Sequence, residues 1–224
     1  MSALAGNRTI LVDVDESHVR SGMEKAMACI DLRVGNGLNT AEEAEEAKKR
    51  METSIDMLKA AASARMVIEA VVEQLEVKQA LFAKLDEVLP VEVPICSNTS
   101  GLRITDISGT CKKPERTVTT HFWLPAHLVP LVEVVMGEKT ERVVAEGVRD
   151  ELKKWKKSPV LVQRDLPGQL ANRVFQAIIR ESVAIVASGL ASAEDVDTAI
   201  SCGMAMRFPE WGPLKHLDAI GLNL

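Results

Sequence analysis

Three residues in the middle of the chain have the types and spacing of a hydroxyl-oxidising site. Ser100 closes the run Ser97-Asn98-Thr99-Ser100, His121 opens His121-Phe122-Trp123, and Glu133 lies in Leu131-Val132-Glu133-Val134. Without any metal, a neutral imidazole can take the proton from a substrate hydroxyl while hydride leaves the same carbon. Histidine suits that work because its unperturbed pKa of about 6.5 lies near working pH. A carboxylate on the other ring nitrogen stabilises the imidazolium. Glu133 follows a turn containing Pro125 and Pro130, so it is placed to return as that partner. The same pair also reads as a satisfied core histidine and a strand-edge carboxylate, and spacing alone does not choose between the two.

The elements around these residues explain how they could converge. Residues 93–97 and 117–121 are short, rich in β-branched side chains and bounded by Pro or Gly, which predicts two buried strands. In open α/β sheets, ligands gather at the carboxyl ends of strands, so a Ser and a His ending two of them can meet on one substrate. Further strands are predicted over 9–13, with Ile10, Leu11 and Val12 apolar, and over 66–71. Helices are predicted over 17–32, 41–51, 57–63, 75–89 and 140–156. The second opens on Asn39 and Thr40, with Glu42 and Glu43 at capping-box spacing, and its trailing Lys48-Lys49-Arg50 complements the helix dipole. Strands alternating with helices predict an α/β protein with a doubly wound, Rossmann-type, largely parallel sheet.

Asp13 ends the first strand. In dinucleotide-binding folds a carboxylate there accepts the adenosine ribose hydroxyls. An acidic residue starting a helix fits Asp13 equally well, since Asp15-Glu16-Ser17 follows.

Composition limits the classes. A chain of 224 residues with 46% hydrophobic content can bury a substantial core in one domain plus a smaller second one. A net charge of -5 argues against a nucleic-acid partner, which would require a basic face. Cys29, Cys96, Cys111 and Cys202 form no C-x-x-C pair or zinc spacing and read as reduced thiols. Residues 1–8 lack a basic n-region and a long apolar stretch, and no run reaches the length of a membrane span, so the expected location is cytoplasmic and no membrane partner is expected.

A boundary is expected at Asp165-Leu166-Pro167-Gly168, dividing residues 1–165 from a helical domain over 166–224. Beyond it, Leu170, Val174, Ile178 and Ile185 form one apolar stripe, and Phe175, Ile179, Val183 and Val186 form another. A helix apolar on two sides is expected to be buried on two sides. Asn172, near its start, is polar among these stripes.

Taken together, several motifs resemble the 3-hydroxyacyl-CoA dehydrogenase family. They are Ile68-Glu69-Ala70-Val71-Val72-Glu73 with Lys78, Ser97-Asn98-Thr99-Ser100, His121-Phe122, Leu131-Val132-Glu133-Val134, Asp165-Leu166-Pro167-Gly168 and Asn172-Arg173. The likeness runs from Leu4 to Leu222, and it is specific jointly rather than motif by motif. It implies NAD-dependent oxidation of an L-3-hydroxy group to a ketone, with a place in fatty acid metabolism. His121 would be the general base, Glu133 its orienting partner, and Ser100 and Asn172 the groups binding the reacting oxygen. Asp13, Ala70, Val71, Glu73, Lys78 and Asn98 would face the NAD cofactor, and the helical domain would form a homodimer.

The chain also departs from that family. The glycine-rich G-x-G-x-x-G turn and the strand before it, which let a backbone approach the pyrophosphate at a helix N-terminus, are not in the sequence; Gly6 is the first glycine and Gly22 the next. The resemblance therefore implies a chain lacking its first strand and its last helices, through a late start codon, a truncated gene or a fragment. The missing strand is expected to leave two unpaired inner sheet edges. A truncated, non-catalytic remnant is the alternative to an enzyme.

Substrate choice stays open as well. Few cations, namely Arg20, Lys25 and Arg33, follow Asp13 to meet coenzyme A phosphates. Leu124 stands where the family commonly has Asn. Relatives acting on free hydroxy acids or other small secondary alcohols, such as gulonate and carnitine dehydrogenases, are similar too; the stretch around Met204-Ala205-Met206-Arg207 resembles that branch, with Arg207 either binding a carboxylate or lying on the surface.

Overall fold

The structure, a computed structural model, describes residues 1–221. It forms two units, Met1–Leu170 and Ala171–Leu224, of which the last three residues, 222–224, lie outside the described part. The division falls five residues past the expected 165/166 boundary.

In the first unit, strand β1 (Thr9–Val12) leads into helix α1 (Glu16–Gly35), then α2 (Ala41–Lys49), β2 (Met51–Ser54), α3 (Met57–Ala61), β3 (Val67–Glu69), α4 (Leu75–Val88) and β4 (Ile95–Ser97). There follow the short α5 (Ile104–Ile107), β5 (Thr117–Phe122), β6 (Leu131–Val135), α6 (Arg142–Lys154) and β7 (Ser158–Val162). The alternation is the expected α/β pattern.

Helix starts follow local chemistry. Asp15 accepts the N–H groups of Ser17 and His18 and caps α1. The helix-starting role open to Asp13 therefore belongs to Asp15. Thr40 and Glu43 form a reciprocal capping box on α2.

One expected helix is corrected. Helix α2 ends at Lys49, short of the anticipated Met51, because Met51–Ser54 pairs in parallel with β1, Thr9 opposite Met51. That strand is polar and partly exposed, so its ladder rather than any apolar pattern makes it a strand.

The strands form two sheets, β1-β2 and β3-β4-β5-β6-β7. Among the described residues, the edges of β1 and β3 away from these partners carry no strand. Pairing is parallel for β1/β2, β3/β4, β4/β5 and β6/β7 and antiparallel for β5/β6. The expectation of a largely parallel sheet holds with that one reversal, which is where the site lies.

The five-stranded sheet is covered on both faces. Phe82, Leu85, Ile95, Ile104 and Ile107 make one buried cluster with α4 and α5. Cys96, Val118, Val132, Val134, Ala145, Val148 and Leu152 make another beneath α6. Strands flanked on both faces read as apolar runs, and this is why β4 and β5 were visible in the sequence, whereas β6 was not among the expected strands.

The second unit is helical: α7 (Ala171–Ala187), α8 (Ala193–Ala199) and α9 (Pro213–Ile220), with a π-helical turn over Ile200–Met204. The two-sided burial expected of α7 is not found. None of its residues is buried, and Val174, Phe175 and Val183 are exposed.

Candidate active site

His121 and Glu133 are register partners on β5 and β6. Directly opposed residues of an antiparallel pair project to the same face, so the two side chains meet, with Nδ1 of His121 2.7 Å from Oε2 of Glu133. Glu133 lies mid-strand rather than at a strand end, and it is 0% exposed. Its Oε1 accepts the Leu170 N–H at 2.9 Å, and Oε2 also accepts the Trp123 indole N–H at 3.0 Å. An ionised carboxylate is an acceptor only, so Nδ1 is the donor in this pair. In the neutral ring Nε2 is then left as the acceptor. Ser100 Oγ lies 3.2 Å from that nitrogen. The serine hydroxyl, the imidazole and the carboxylate thus form one hydrogen-bonded line.

The Ser97–Ser100 turn is held from beneath by a buried carboxylate. Glu69, the last residue of β3, accepts Ser97 Oγ, the Val71 N–H and Lys78 Nζ, each at 2.6 Å. Lys78 is 1% exposed and also reaches Val71 O at 3.3 Å and Glu73 Oε2 at 3.2 Å. Its three donors are therefore spent on the protein. Glu73 Oε1 in turn accepts the N–H groups of Ser100 and Gly101 at 3.0 Å and the hydroxyl of Thr99. Burial pushes the Glu73 carboxyl up, but the Thr99 hydroxyl, the Gly101 N–H and Lys78 outweigh it and bring it down to about 2.

The other expected residues fall as follows. Asn98 Oδ1 accepts the Phe122 N–H at 2.9 Å, tying the turn after β4 to the end of β5. Ala70 and Val71 lie exposed just past β3. Asp13 lies exposed just past β1, its Oδ1 taking the Val14 N–H at 2.7 Å. Asn172 belongs to the second unit, where it is half-buried as the second residue of α7.

Three supporting residues were not singled out from the sequence. Trp123 holds Glu133, and its place two residues after His121, on the same side of a strand-like run, was the available signal. Glu69 anchors Lys78. Gln169, at a positive φ of 51°, donates Nε2 to Thr99 O at 3.0 Å; it directly follows the marked Asp165–Gly168 run, but its residue type gave no sign of that bond.

Residues 1–166 match the NAD binding domain of 3-hydroxyacyl-CoA dehydrogenase, and residues 168–224 match the C-terminal domain of the same enzyme family. The chain belongs to the 3-hydroxyacyl-CoA dehydrogenase family. Members of that family are NAD-dependent oxidoreductases acting on CH–OH groups. The chain is 37% identical over its whole length to the 3-hydroxyadipyl-CoA dehydrogenase of Escherichia coli (strain K12), of which it covers 46%. It is 38% identical over 77% of its length to the L-carnitine dehydrogenase of Streptomyces coelicolor, of which it covers 54%. The crystal structure of 3-hydroxybutyryl-CoA dehydrogenase from Escherichia coli K12 superposes with a TM-score of 0.83 and 36% identity, over 89% of this chain and 42% of that one. The chain spans about half the length of the first of the curated relatives it matches. No helix among its described residues is long and apolar enough to cross a membrane.

Proposed function

We propose that the protein oxidises the L-3-hydroxyl of a hydroxyacyl-coenzyme A thioester to the ketone, with NAD as the acceptor. The observation that carries this reading is the line from Ser100 Oγ through His121 to Glu133, with both imidazole nitrogens engaged. A substrate hydroxyl placed beside Ser100 delivers its proton to His121 Nε2. Glu133 keeps Nδ1 protonated and stabilises the imidazolium that forms. The Ser100 hydroxyl donates to the reacting oxygen, and the Asn172 amide is assigned as the second group for that oxygen.

NAD, when bound, supplies the hydride acceptor. The residues present fit it at the ribose and nicotinamide ends. The Asp13 carboxylate is exposed past the first strand, as a ribose acceptor must be. Ala70, Val71 and Glu73 present an open strand end at β3, and Asn98 lies beside the dyad strand. Lys78 serves by holding Glu73. In this reading residues 1–165 are the cofactor domain and 166–224 the dimerisation domain, and the exposed apolar residues of α7 support assembly into a homodimer.

The experiment is NADH absorbance on adding NAD and L-3-hydroxybutyryl-CoA, with its D-enantiomer and L-carnitine run alongside. Turnover of the L-thioester alone supports the reading; turnover of no thioester overturns it. Leu124, 80% exposed where the family commonly carries a polar residue, favours a second reading, a free hydroxy acid or other small secondary alcohol. Preference for carnitine over the thioester would establish that one.

A further inference from the structure

The loop 124–130 joins the two strands of the dyad, and two buried cations hold it. Lys157, directly before β7, donates Nζ to the carbonyls of Ala126 and Val129, the latter at 2.7 Å. It stands 6.0 Å from the centroid of the Phe122 ring, next to His121. Arg33, in the last turn of α1, donates Nη1 to the carbonyl of His127 at 2.5 Å and Nε to Asn39 Oδ1 at 2.7 Å. Both side chains belong to buried residues, and the Met1 ammonium lies near enough to both to be pushed down by their charge in addition to burial, the larger cause. Burial and the neighbouring Arg33 push the Lys157 ammonium down.

A buried cation is unfavourable unless its donors are satisfied, and a solvated polar turn would connect two strands without one; Arg33 reaches the Glu43 carboxylate only through Asn39. The three bound carbonyls, of Ala126, His127 and Val129, face inward to these cations instead of to water. The loop they bind connects β5 to β6, whose register pairs His121 with Glu133. A slip of one residue there would carry Glu133 to the opposite face of the sheet, away from both His121 Nδ1 and Trp123 Nε1.

We propose that Lys157 and Arg33 are positioning residues that clamp loop 124–130 and thereby hold Glu133 opposite His121. This rests on the reading of that pair as the catalytic dyad. The clamp acts through the hairpin, by bonds to its backbone carbonyls.

The test has a readout independent of turnover. In protein labelled with 15N-tryptophan, the indole N–H of Trp123 reports its bond to Glu133 and, through that carboxylate, the protonation of His121. Assignment comes from Trp123→Phe, which leaves the resonances of Trp155 and Trp211. Lys157→Met is expected to move the Trp123 resonance and its pH titration, while Lys157→Arg keeps both near the wild type. In a turnover assay, Lys157→Met lowers kcat on the order of tenfold to a hundredfold, as for a sub-ångström to ångström misplacement, with KM for NAD unchanged. A folded Lys157→Met protein with the wild-type Trp123 resonance and titration overturns the proposal. If that variant does not fold, Arg33→Gln, which removes only the bonds to His127 and Asn39, is read in the same way. Absence of turnover in the wild type would count against the proposed function, while the resonance would still decide the clamp.

Discussion

His121 and Glu133 stand directly opposite each other on antiparallel strands, their side chains joined at 2.7 Å, although twelve residues separate them in sequence. The hairpin therefore delivers the imidazole and the carboxylate together, as the proposed base and its orienting partner require. With Nδ1 bound to Glu133, Nε2 is turned toward Ser100.

Replacing Glu133 by Gln keeps the volume and removes the charge. The amide can present an N–H to Nδ1 and favour the wrong tautomer. kcat is expected to fall by about 10²- to 10⁴-fold, on the scale seen when the acid of a catalytic triad becomes an amide. Steady-state turnover measures it, and an unchanged kcat would remove Glu133 from the mechanism.

Trp123→Phe takes one N–H donor from Glu133 Oε2. A hydrogen bond to a charged group contributes about 1.5–3 kcal/mol. Urea unfolding is expected to show a loss of that order, with a smaller fall in kcat than for Glu133→Gln. Equal stability of the two proteins would mean that the indole N–H is not bonded in solution.

Lys78→Met leaves the buried Glu69 carboxylate without its cation. Breaking a buried pair from one side destabilises by about 3–5 kcal/mol, so a large drop in Tm is expected. Combining it with Glu69→Gln, which removes the stranded charge, is expected to restore part of the loss. A single-variant Tm close to that of the wild type would contradict the buried pairing.

The Glu73 carboxyl is lowered from 4.5 to about 2 in the folded protein. A depressed folded value stabilises the fold above the unfolded pKa. That contribution is lost as pH falls from about 4.5 towards 2. The stability gap between wild type and Glu73→Gln should be constant above pH 5 and narrow below it. A gap that does not change down to pH 2 would show that Glu73 is not held as a carboxylate by the 99–101 turn and Lys78.

The strands over 93–97 and 117–121 were legible because they are buried on both faces and so read as short β-branched runs, as in Ile95–Ser97 and Thr117–Phe122; Leu131–Val135 was not expected as a strand, its apolar run being interrupted by Glu133. Other elements were hidden for physical reasons. Met51–Ser54 has no apolar pattern and is a strand only through its ladder with β1. Ser158–Val162 opens on Ser158-Pro159, which masks an edge strand. The antiparallel turn between β5 and β6 had a signal, since a parallel crossover usually takes a dozen or more residues and the connection over 123–130 is shorter. Ser100, His121 and Glu133 could be picked out by residue type. Glu69 and Gln169 could not, because their roles come from Lys78 and Thr99, distant partners that only the folded chain brings near.

The most direct measurement of the central claim compares wild type with His121→Ala in NADH formation from NAD and L-3-hydroxybutyryl-CoA. The account predicts turnover by the wild type and a fall in kcat on the order of a hundredfold or more in the variant, the scale of a lost general base, with the thermal unfolding of the two proteins similar. Equal turnover by wild type and His121→Ala would contradict it.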